Sequence, residues 1–373
     1  MSKKKLFFDA TPLIDVHVSG VGKVLQETLR VLDSDEYASQ YEVVLFVPID
    51  ERKKALNLGY TNMKVKTLPY PHKFFSLFAR MRVSPPIDIF LGRGTYIFEN
   101  FRNWNVLFSK SITYIHDVSF KIYPEFVQEQ NLKYLNKNIQ TWLRRTDRVV
   151  TVSESSRDEI TRELEVANVG VVQNAVDATL FYPRKEGEVA KIQKKWNLPN
   201  NYFVFIGNIE PRKNLKNTIV AFKEYEKTHN KGDALILIGG GGWKNEEILK
   251  QIDEAQIAGV RIIRPDGYVP DEDLPAIISG AKALLQFSWH EGFGLPVLQA
   301  LACGTPVAAS DIPPLHEVAR GNDDRVVFSS PRDVERLASA IDEAGKIPHV
   351  QEPKNIRTWD ESVKDLLGII DSL

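Results

Sequence analysis

The sequence predicts an α/β protein of two Rossmann-like, doubly wound domains facing an interdomain cleft. Three observations carry that expectation. Short, apolar, β-branched runs alternate with amphipathic stretches almost from end to end. A polar stretch over residues 177–199 breaks the alternation. The 373 residues are also long for one core and natural for two.

In the first half, KLFFDAT, YEVVLFV, VLFSKSITYIHD and DRVVTVS read as strands, and GKVLQETLRVL reads as a helix. In the second, NYFVFIGNI, ALILIGG, VRIIRPDGYV, AKALLQFS and TPVAASD read as strands. KNTIVAFKEYEK, NEEILKQIDEAQ and GLPVLQALAC read as helices. The strands are nearly continuously apolar, as expected when helices cover both faces of a parallel sheet. The boundaries follow: residues 1–175 form the first domain, 176–200 a linker and 201–347 the second domain. Residues 348–373 form a linker and a last helix, from about Trp359 to Ile370, expected to pack back on the first domain. Open sheets of this kind bind ligands beyond the carboxyl ends of their strands, so the site is expected in the cleft.

Composition narrows the class. Apolar residues at 43% and charged residues at 26% are the balance of a globular protein and exclude a disordered or collagen-like chain. The single cysteine, Cys303, excludes an internal disulfide and any cysteine-cluster metal site, and suits a reducing compartment. No window approaches the roughly 18 apolar residues of a spanning helix. The basic start, Met1 to Leu6, runs straight into FFDATPLI, so no signal peptide is expected. The net charge of -1 hides an asymmetry, because residues 51–150 hold 17 Lys or Arg against 7 Asp or Glu. Within them, Pro69 to Val83 mixes Lys73, Arg80 and Arg82 with Phe74, Phe75, Leu77 and Phe78. Such a stretch docks on an anionic membrane surface, or is a half-buried helix with a solvated basic edge.

Four loops hold residues suited to chemistry. In SWHEGFGLPVLQALACGTPVAASD, a strand ends at Phe287 and Glu291-Gly292-Phe293-Gly294 opens a helix near Leu295. Glycines let the backbone approach a ligand, and the helix N-terminus offers free N–H groups to a diphosphate. Glu291 can accept from sugar hydroxyls, and Gln299 lies two turns along the helix; the alternative is a glycine-rich turn with a surface Glu. In FIGNIEPRKNLKNTIVAF, Gly207 follows a strand, and Arg212 and Lys213 precede a helix from about Leu215. They form a receptor for a leaving diphosphate or a solvated charge pair. In DATPLIDVHVSGVGKVLQETL, Gly20 and Gly22 sit just before a helix, without the third glycine of a dinucleotide fingerprint. In TYIHDVSFKIYPEF, His116 follows an apolar strand and either bonds a substrate hydroxyl or shuttles a proton, or is structural. Of two Asp-x-Asp spacings, Asp33-Ser34-Asp35 lies away from any strand's carboxyl end and Asp271-Glu272-Asp273 opens a helix, where acidic residues suit the dipole, so no metal site is expected.

Together these segments resemble a retaining glycosyltransferase of the GT-B fold, in the large family four that includes bacterial mannosyl- and glucosyltransferases of glycan assembly. The likeness runs through SGVGKV, IHDVSFKIYPE, VTVSESSRDEI, QNAVDATLFYP, GNIEPRKNL, PDGYVPDEDL, HEGFGLPVLQALACGTPVAASD and the late Trp359. It implies that Arg212 and Lys213 neutralise the donor diphosphate. It implies that Glu291, first glutamate of the E-x7-E motif, contacts the donor sugar. Gly292, Phe293, Gly294 and the helix start at Leu295 would bring N–H groups to sugar and phosphates, with Gly207 beside them. His116 would lie near the reacting carbon, Gly20 and Gly22 in a mobile loop over the diphosphate, and Gly267, Tyr268 and Val269 beside the base. The first domain would hold the acceptor.

One departure stands out. The second glutamate of E-x7-E is here Gln299, whose amide offers a donor in place of one acceptor to the ribose hydroxyls. A second departure is ARGNDDRVVFSS, where many relatives carry a glycine-rich segment before the last strand. The resemblance implies front-face transfer with retention, without a metal or other cofactor, from a nucleotide-sugar. GDP-mannose is favoured as donor, and UDP- and dTDP-sugars stay open. The acceptor would be a glycan or lipid-linked oligosaccharide of surface polysaccharide, met in the cytoplasm or at the inner membrane face, with no nucleic acid as partner. A non-catalytic sugar-nucleotide-binding subunit and a GT-B sugar-nucleotide epimerase remain as alternatives.

Overall fold

Apolar residues on both faces of each strand set the layering. Along β1 (Lys4–Asp9), Leu6 and Phe8 join one buried cluster and Phe7 the opposite one. Along β2 (Tyr41–Pro48), Val43, Leu45 and Val47 likewise oppose Val44 and Phe46. A sheet so patterned must be covered on both sides, which parallel strands joined by helices achieve.

The structure, a computed structural model, describes residues 3–14, 19–71, 73–74, 85–100, 104–229 and 231–373. Of the basic aromatic stretch read from the sequence, residues 72 and 75–83 lie outside the described residues. The chain divides into two compact units. The first holds Met1–Val118, Lys133–Asn174 and Trp359–Leu373; the second holds Ser119–Leu132 and Ala175–Thr358.

The first unit is built on a parallel sheet that continues with β3 (Lys64–Leu68), β4 (Thr95–Phe98), β5 (Lys110–Tyr114), β6 (Arg148–Thr151) and β7 (Val169–Val171). Its order is β3-β2-β1-β4-β5-β6-β7. Of these, β3, β4 and β7 go beyond the strands expected from the sequence. Helix α1 (Gly20–Leu32) starts at Gly20, so Gly20 and Gly22 form its first turn and do not precede it. The physical reason is Ser19, whose side chain accepts from the Gly22 N–H at 3.3 Å and caps the helix earlier than the glycines suggest.

Among the described residues, the other helices of eight residues or more are α2 (Glu129–Arg144), α3 (Glu154–Leu164), α4 (Glu186–Lys195), α5 (Leu215–His229), α6 (Glu246–Ile257), α7 (Leu295–Ala302), α8 (Val334–Ala344) and α9 (Trp359–Asp371). Helix α9 closes the first unit: Val363, Leu366, Leu367 and Ile370 join the cluster of Leu25 and Leu29 from α1. Each such side chain contributes about 1.5–3 kcal/mol. The exposed Lys4–Asp371 pair at 2.6 Å adds little beside that.

The second unit is built on the parallel sheet of β8 (Tyr202–Ile206), β9 (Ala234–Ile238), β10 (Ile262–Ile263), β11 (Leu284–Gln286), β12 (Val307–Ser310) and β13 (Val326–Ser329), in the order β10-β9-β8-β11-β12-β13. The strand order reverses between β8 and β11, the position at which such sheets bind ligands. The segment Ser119–Leu132 belongs here: the indole N–H of Trp243 donates to Phe126 O at 2.6 Å, and Lys244 Nζ donates to Glu125 O at 2.7 Å.

The loops that leave β8 and β9 cross at backbone distance. Gly207 N donates to Ile238 O at 2.8 Å and Ile209 N to Gly240 O at 2.9 Å. A Cβ on Gly239 would lie 2.1 Å from Gly207 O, so no side chain fits there. Gly239→Ala is therefore expected to destabilise the second unit by about 3 kcal/mol and to shift the loop that leads to Arg212. Thermal unfolding of the variant tests this, and an unchanged midpoint would refute it.

Candidate active site

Strands β8 and β11 leave the second sheet side by side, and their loops are stitched together. After β8, Pro211–Lys213 form a tight 3-10 turn, and Asn214, at φ 56°, redirects the chain into α5. The Asn214 side chain donates to Pro331 O at 2.9 Å, which holds that turn. After β11, the chain runs through Ser288–Glu291 to Gly294. That residue adopts φ 107° at the N-cap of α7, a conformation few side chains tolerate. Trp289 N donates to Arg212 O at 2.9 Å, and Arg212 Nη1 donates to His290 O at 2.9 Å.

Buried charges sit at this junction. Glu291 is 5% exposed, Lys213 8% and Glu210 2%. Lys213 Nζ donates to Glu291 Oε1 at 2.7 Å and to Oε2 at 2.9 Å, and Arg212 Nη1 donates to Oε2 at 3.2 Å. Gln286 Nε2 and Ser288 Oγ each donate to Oε1 at 2.6 Å. Arg212 also pairs with Glu210 at 2.8 Å. Two cations thus face two carboxylates, and the cluster is neutral.

Burial alone would push the Glu291 carboxyl up. Lys213 and Arg212, with the Lys213 and Ser288 hydrogen bonds, outweigh it and hold the group well below the usual carboxylate range. Lys213 is shifted down, first by burial and also by neighbouring Arg212, against the pull of Glu291. An ionised Glu291 is therefore the fixed point against which both cations are set.

The sequence-based expectation for Glu291 was contact with the donor sugar. Its two oxygens accept five hydrogen bonds from within the unit, and these hold Arg212 and Lys213 in place. The backbone beside it is open: the N–H groups of Phe293, Gly294 and Leu295 donate to no group among the described residues. Free amides at the start of α7, beside a guanidinium whose side chain is 19% exposed, form a receptor for an anion with several oxygens.

The structure places the other expected residues as follows. Gly207 lies at this junction, since a Cβ built there would be 3.5 Å from Lys213 Cε. Gln299 is on α7, partly exposed, and its side chain makes no hydrogen bond among the described residues. Gly267, Tyr268 and Val269 follow β10; Tyr268 is 64% exposed and Val269 buried. Gly20, Gly22 and His116 belong to the first unit. His116 Nε2 lies 2.9 Å from Glu99 O. A carbonyl only accepts, so Nε2 carries the proton and Nδ1 the lone pair. Burial lowers the pKa of this ring despite that bond and Asp117, which favours the neutral form.

Both Asp-x-Asp spacings are occupied elsewhere. Asp33 accepts from Thr61 N and Asn62 N at 2.9 and 2.7 Å, and Asp273 accepts from Lys195 Nζ and Trp196 Nε1 at 2.5 and 2.8 Å. Sequence reasoning missed Glu210, Gln286 and Ser288. Their signal was polarity in places that should be apolar: Gln286 ends a buried strand, and Glu210 directly precedes the basic turn.

The pH dependence follows from the sign of the Glu291 shift. A carboxyl held below its ordinary 4.5 stabilises the fold above that pH, and the stabilisation is lost as pH falls through the depressed value. Lys213→Met removes a partner from a buried carboxylate and should cost about 3–5 kcal/mol at pH 7. The gap from wild type should narrow in acid. Chemical denaturation at pH 7 and pH 3 checks both statements, and equal stability at pH 7 would refute the first.

Comparison with known proteins gives the family. Residues 18–180 match the family model Glycosyltransferase Family 4, and residues 188–358 match Glycosyl transferases group 1. The chain is 32% identical over 234 residues to O-antigen chain mannosyltransferase B of Escherichia coli, covering 62% of this chain and 60% of that protein. It is 28% identical over 247 residues to O-antigen chain mannosyltransferase RfbU of Salmonella typhimurium (strain LT2), covering 65% and 63%. The matches thus span less than two thirds of these relatives' own length. Among solved structures, Alr3699/HepE of Anabaena in complex with UDP-glucose superposes with a TM-score of 0.68 at 14% identity, over 100% of both chains. The chain belongs to the group 1, family 4 glycosyltransferases of GT-B fold.

Proposed function

We propose that the chain is a retaining hexosyltransferase that moves mannose from GDP-mannose to a hydroxyl of a glycan or lipid-linked oligosaccharide in surface polysaccharide assembly. The observation that carries this reading is the Arg212–Lys213 pair, fixed by Glu291 at the point where the second sheet's strand order reverses. The relatives named O-antigen chain mannosyltransferases support the sugar and the pathway class. The neighbour solved with UDP-glucose supports a nucleoside-diphosphate donor.

In this reading the bond from the anomeric carbon to the diphosphate oxygen lengthens first. Positive charge grows on the sugar ring and negative charge on the leaving diphosphate. Arg212, Lys213 and the free amides at the start of α7 stabilise that negative charge, and being held in place they need little reorganisation. These groups perform the electrostatic task that a metal ion performs in other transferases. The acceptor oxygen attacks from the face the diphosphate is leaving, and a phosphate oxygen takes its proton. The new linkage then keeps the donor's configuration, and no carboxylate base is required.

Contact with an anionic membrane at the cytoplasmic face is part of the proposal. It is supported by four apolar side chains of the first unit, Ile89, Phe90, Leu107 and Phe108, which are 59, 50, 60 and 55% exposed. Arg93 lies 5.6 Å over the Phe108 ring, and such apolar surface edged by cations suits a lipid headgroup layer.

Incubation with GDP-mannose and a mannose-terminated oligosaccharide, with NMR of the product, tests the reading. The expected product carries a new α-linked mannose, and Arg212→Ala should lower kcat/KM by about 10²–10³-fold. Transfer from none of GDP-, UDP-, ADP- and dTDP-sugars would refute it, as would an unimpaired Arg212→Ala. Gln299→Glu supplies a second acceptor oxygen for the ribose. It should tighten nucleotide binding by about 1–2 kcal/mol, read by calorimetry, while leaving kcat nearly unchanged.

A further inference from the structure

Glu99 follows β4 at the carboxyl edge of the first sheet and is 1% exposed. Among the described residues, neither of its carboxyl oxygens has a hydrogen-bond partner. Buried polar groups are almost always paired, because desolvation without compensation costs free energy, so such a carboxyl does nothing for the fold. Its place in the sheet is specific. The strand order reverses between β1 and β4, the ligand position of an open α/β sheet, and Glu99 stands at that edge.

The neighbours define what the group can bind. Extending the β4–β5 register, Phe98↔Thr113, sets Glu99 beside Tyr114, whose phenol is raised first by burial and then by Glu99. The Glu99 carbonyl holds His116 Nε2, and the Nδ1 lone pair of that ring has no partner among the described residues. Asp117 at this edge acts on His116, and Asp9 is occupied by Thr11 and by Trp104 Nε1 at 3.1 Å. No cation pairs with Glu99 among the described residues, and no group of three or more His, Cys, Asp or Glu there could hold a metal ion. Burial pushes the Glu99 carboxyl up to about 8, so at neutral pH it is mostly the uncharged acid. An uncharged carboxylic acid both donates and accepts, as a hydroxyl does.

We propose that Glu99 is a ligand for a sugar hydroxyl at the reversal point of the first sheet, acting beside the His116 lone pair. The inference rests on the glycosyl-transfer reading and adds the residue that recognises the sugar in this unit. The hydroxyl comes from the acceptor or from the donor sugar, and the two sources separate by experiment.

The full-length chain and its Glu99→Met and Glu99→Gln variants are titrated with methyl α-mannoside, GDP-mannose and GDP. Methionine keeps the shape and removes the polarity, so Glu99→Met should unfold at a higher temperature than wild type while GDP affinity stays unchanged. It should lose at least tenfold in methyl α-mannoside affinity if the acceptor supplies the hydroxyl. It should lose at least tenfold in the preference for GDP-mannose over GDP if the donor does. Glu99→Gln, still a donor and an acceptor, should stay within about threefold of wild type on both. If Glu99→Met alters neither sugar while GDP binds as before, the inference falls and the transfer reading stands. If wild type binds none of GDP, UDP, ADP and dTDP, the transfer reading falls and takes the inference with it. An unfolded Glu99→Met would contradict the premise that nothing in the fold uses this carboxyl.

Discussion

Glu291 shares its carboxylate with Lys213, Arg212, Gln286 and Ser288, and through them it joins the exits of β8 and β11. Two cations side by side under low exposure would repel each other and lose hydration. A carboxylate between them removes both problems and fixes where their remaining N–H groups point. Glu210 completes the balance on the Arg212 side at 2.8 Å. Buried ion pairs of this kind contribute little net stability compared with apolar packing, because desolvation offsets most of the attraction. What they supply is position, and position is what a diphosphate receptor needs.

The fold leads to that cluster by local necessities. Gly239 lets the β9 loop touch the backbone of Gly207, which sets the path of the chain toward Arg212. Asn214 turns the chain in a left-handed conformation and anchors on Pro331. Gly294 admits the chain into α7 with three amides that have no acceptor among the described residues. The apolar cluster of Phe203, Phe205, Leu235, Leu237, Leu285 and Phe287 beneath these loops keeps the strand ends from moving relative to one another. The first unit repeats the strand order, with β1 and β4 in the places of β8 and β11, yet its reversal point holds Glu99 and His116 and no comparable ion-pair cluster among the described residues.

How much of this was legible in the sequence depended on whether the signal was local. The run from Ser288 to Asp311 reads as glycine loop, helix and strand because those states follow from neighbouring residues, and α7 begins at Leu295 as the pattern requires. β4 was not legible: Thr95–Phe98 is four residues long, flanked by Arg93-Gly94 and Glu99-Asn100, and is made a strand by pairing with β1 and β5. Overlooking it hid Glu99. The start of α1 was misplaced because glycine reads as a loop residue, whereas the Ser19 cap decides the matter. Arg212, Lys213 and Glu291 were each legible as functional types. That they touch, and that Glu291 faces inward, depends on a contact across 78 residues of sequence that no local pattern encodes.

The most direct test of the account compares nucleoside diphosphate with nucleoside monophosphate by isothermal titration, in wild type and in Glu291→Gln. If Glu291 holds the two cations as a diphosphate receptor, GDP should bind wild type at least tenfold more tightly than GMP. In Glu291→Gln that preference should collapse while GMP affinity changes little. Equal binding of GDP and GMP by wild type, or an undiminished preference in the variant, would contradict the account at its centre.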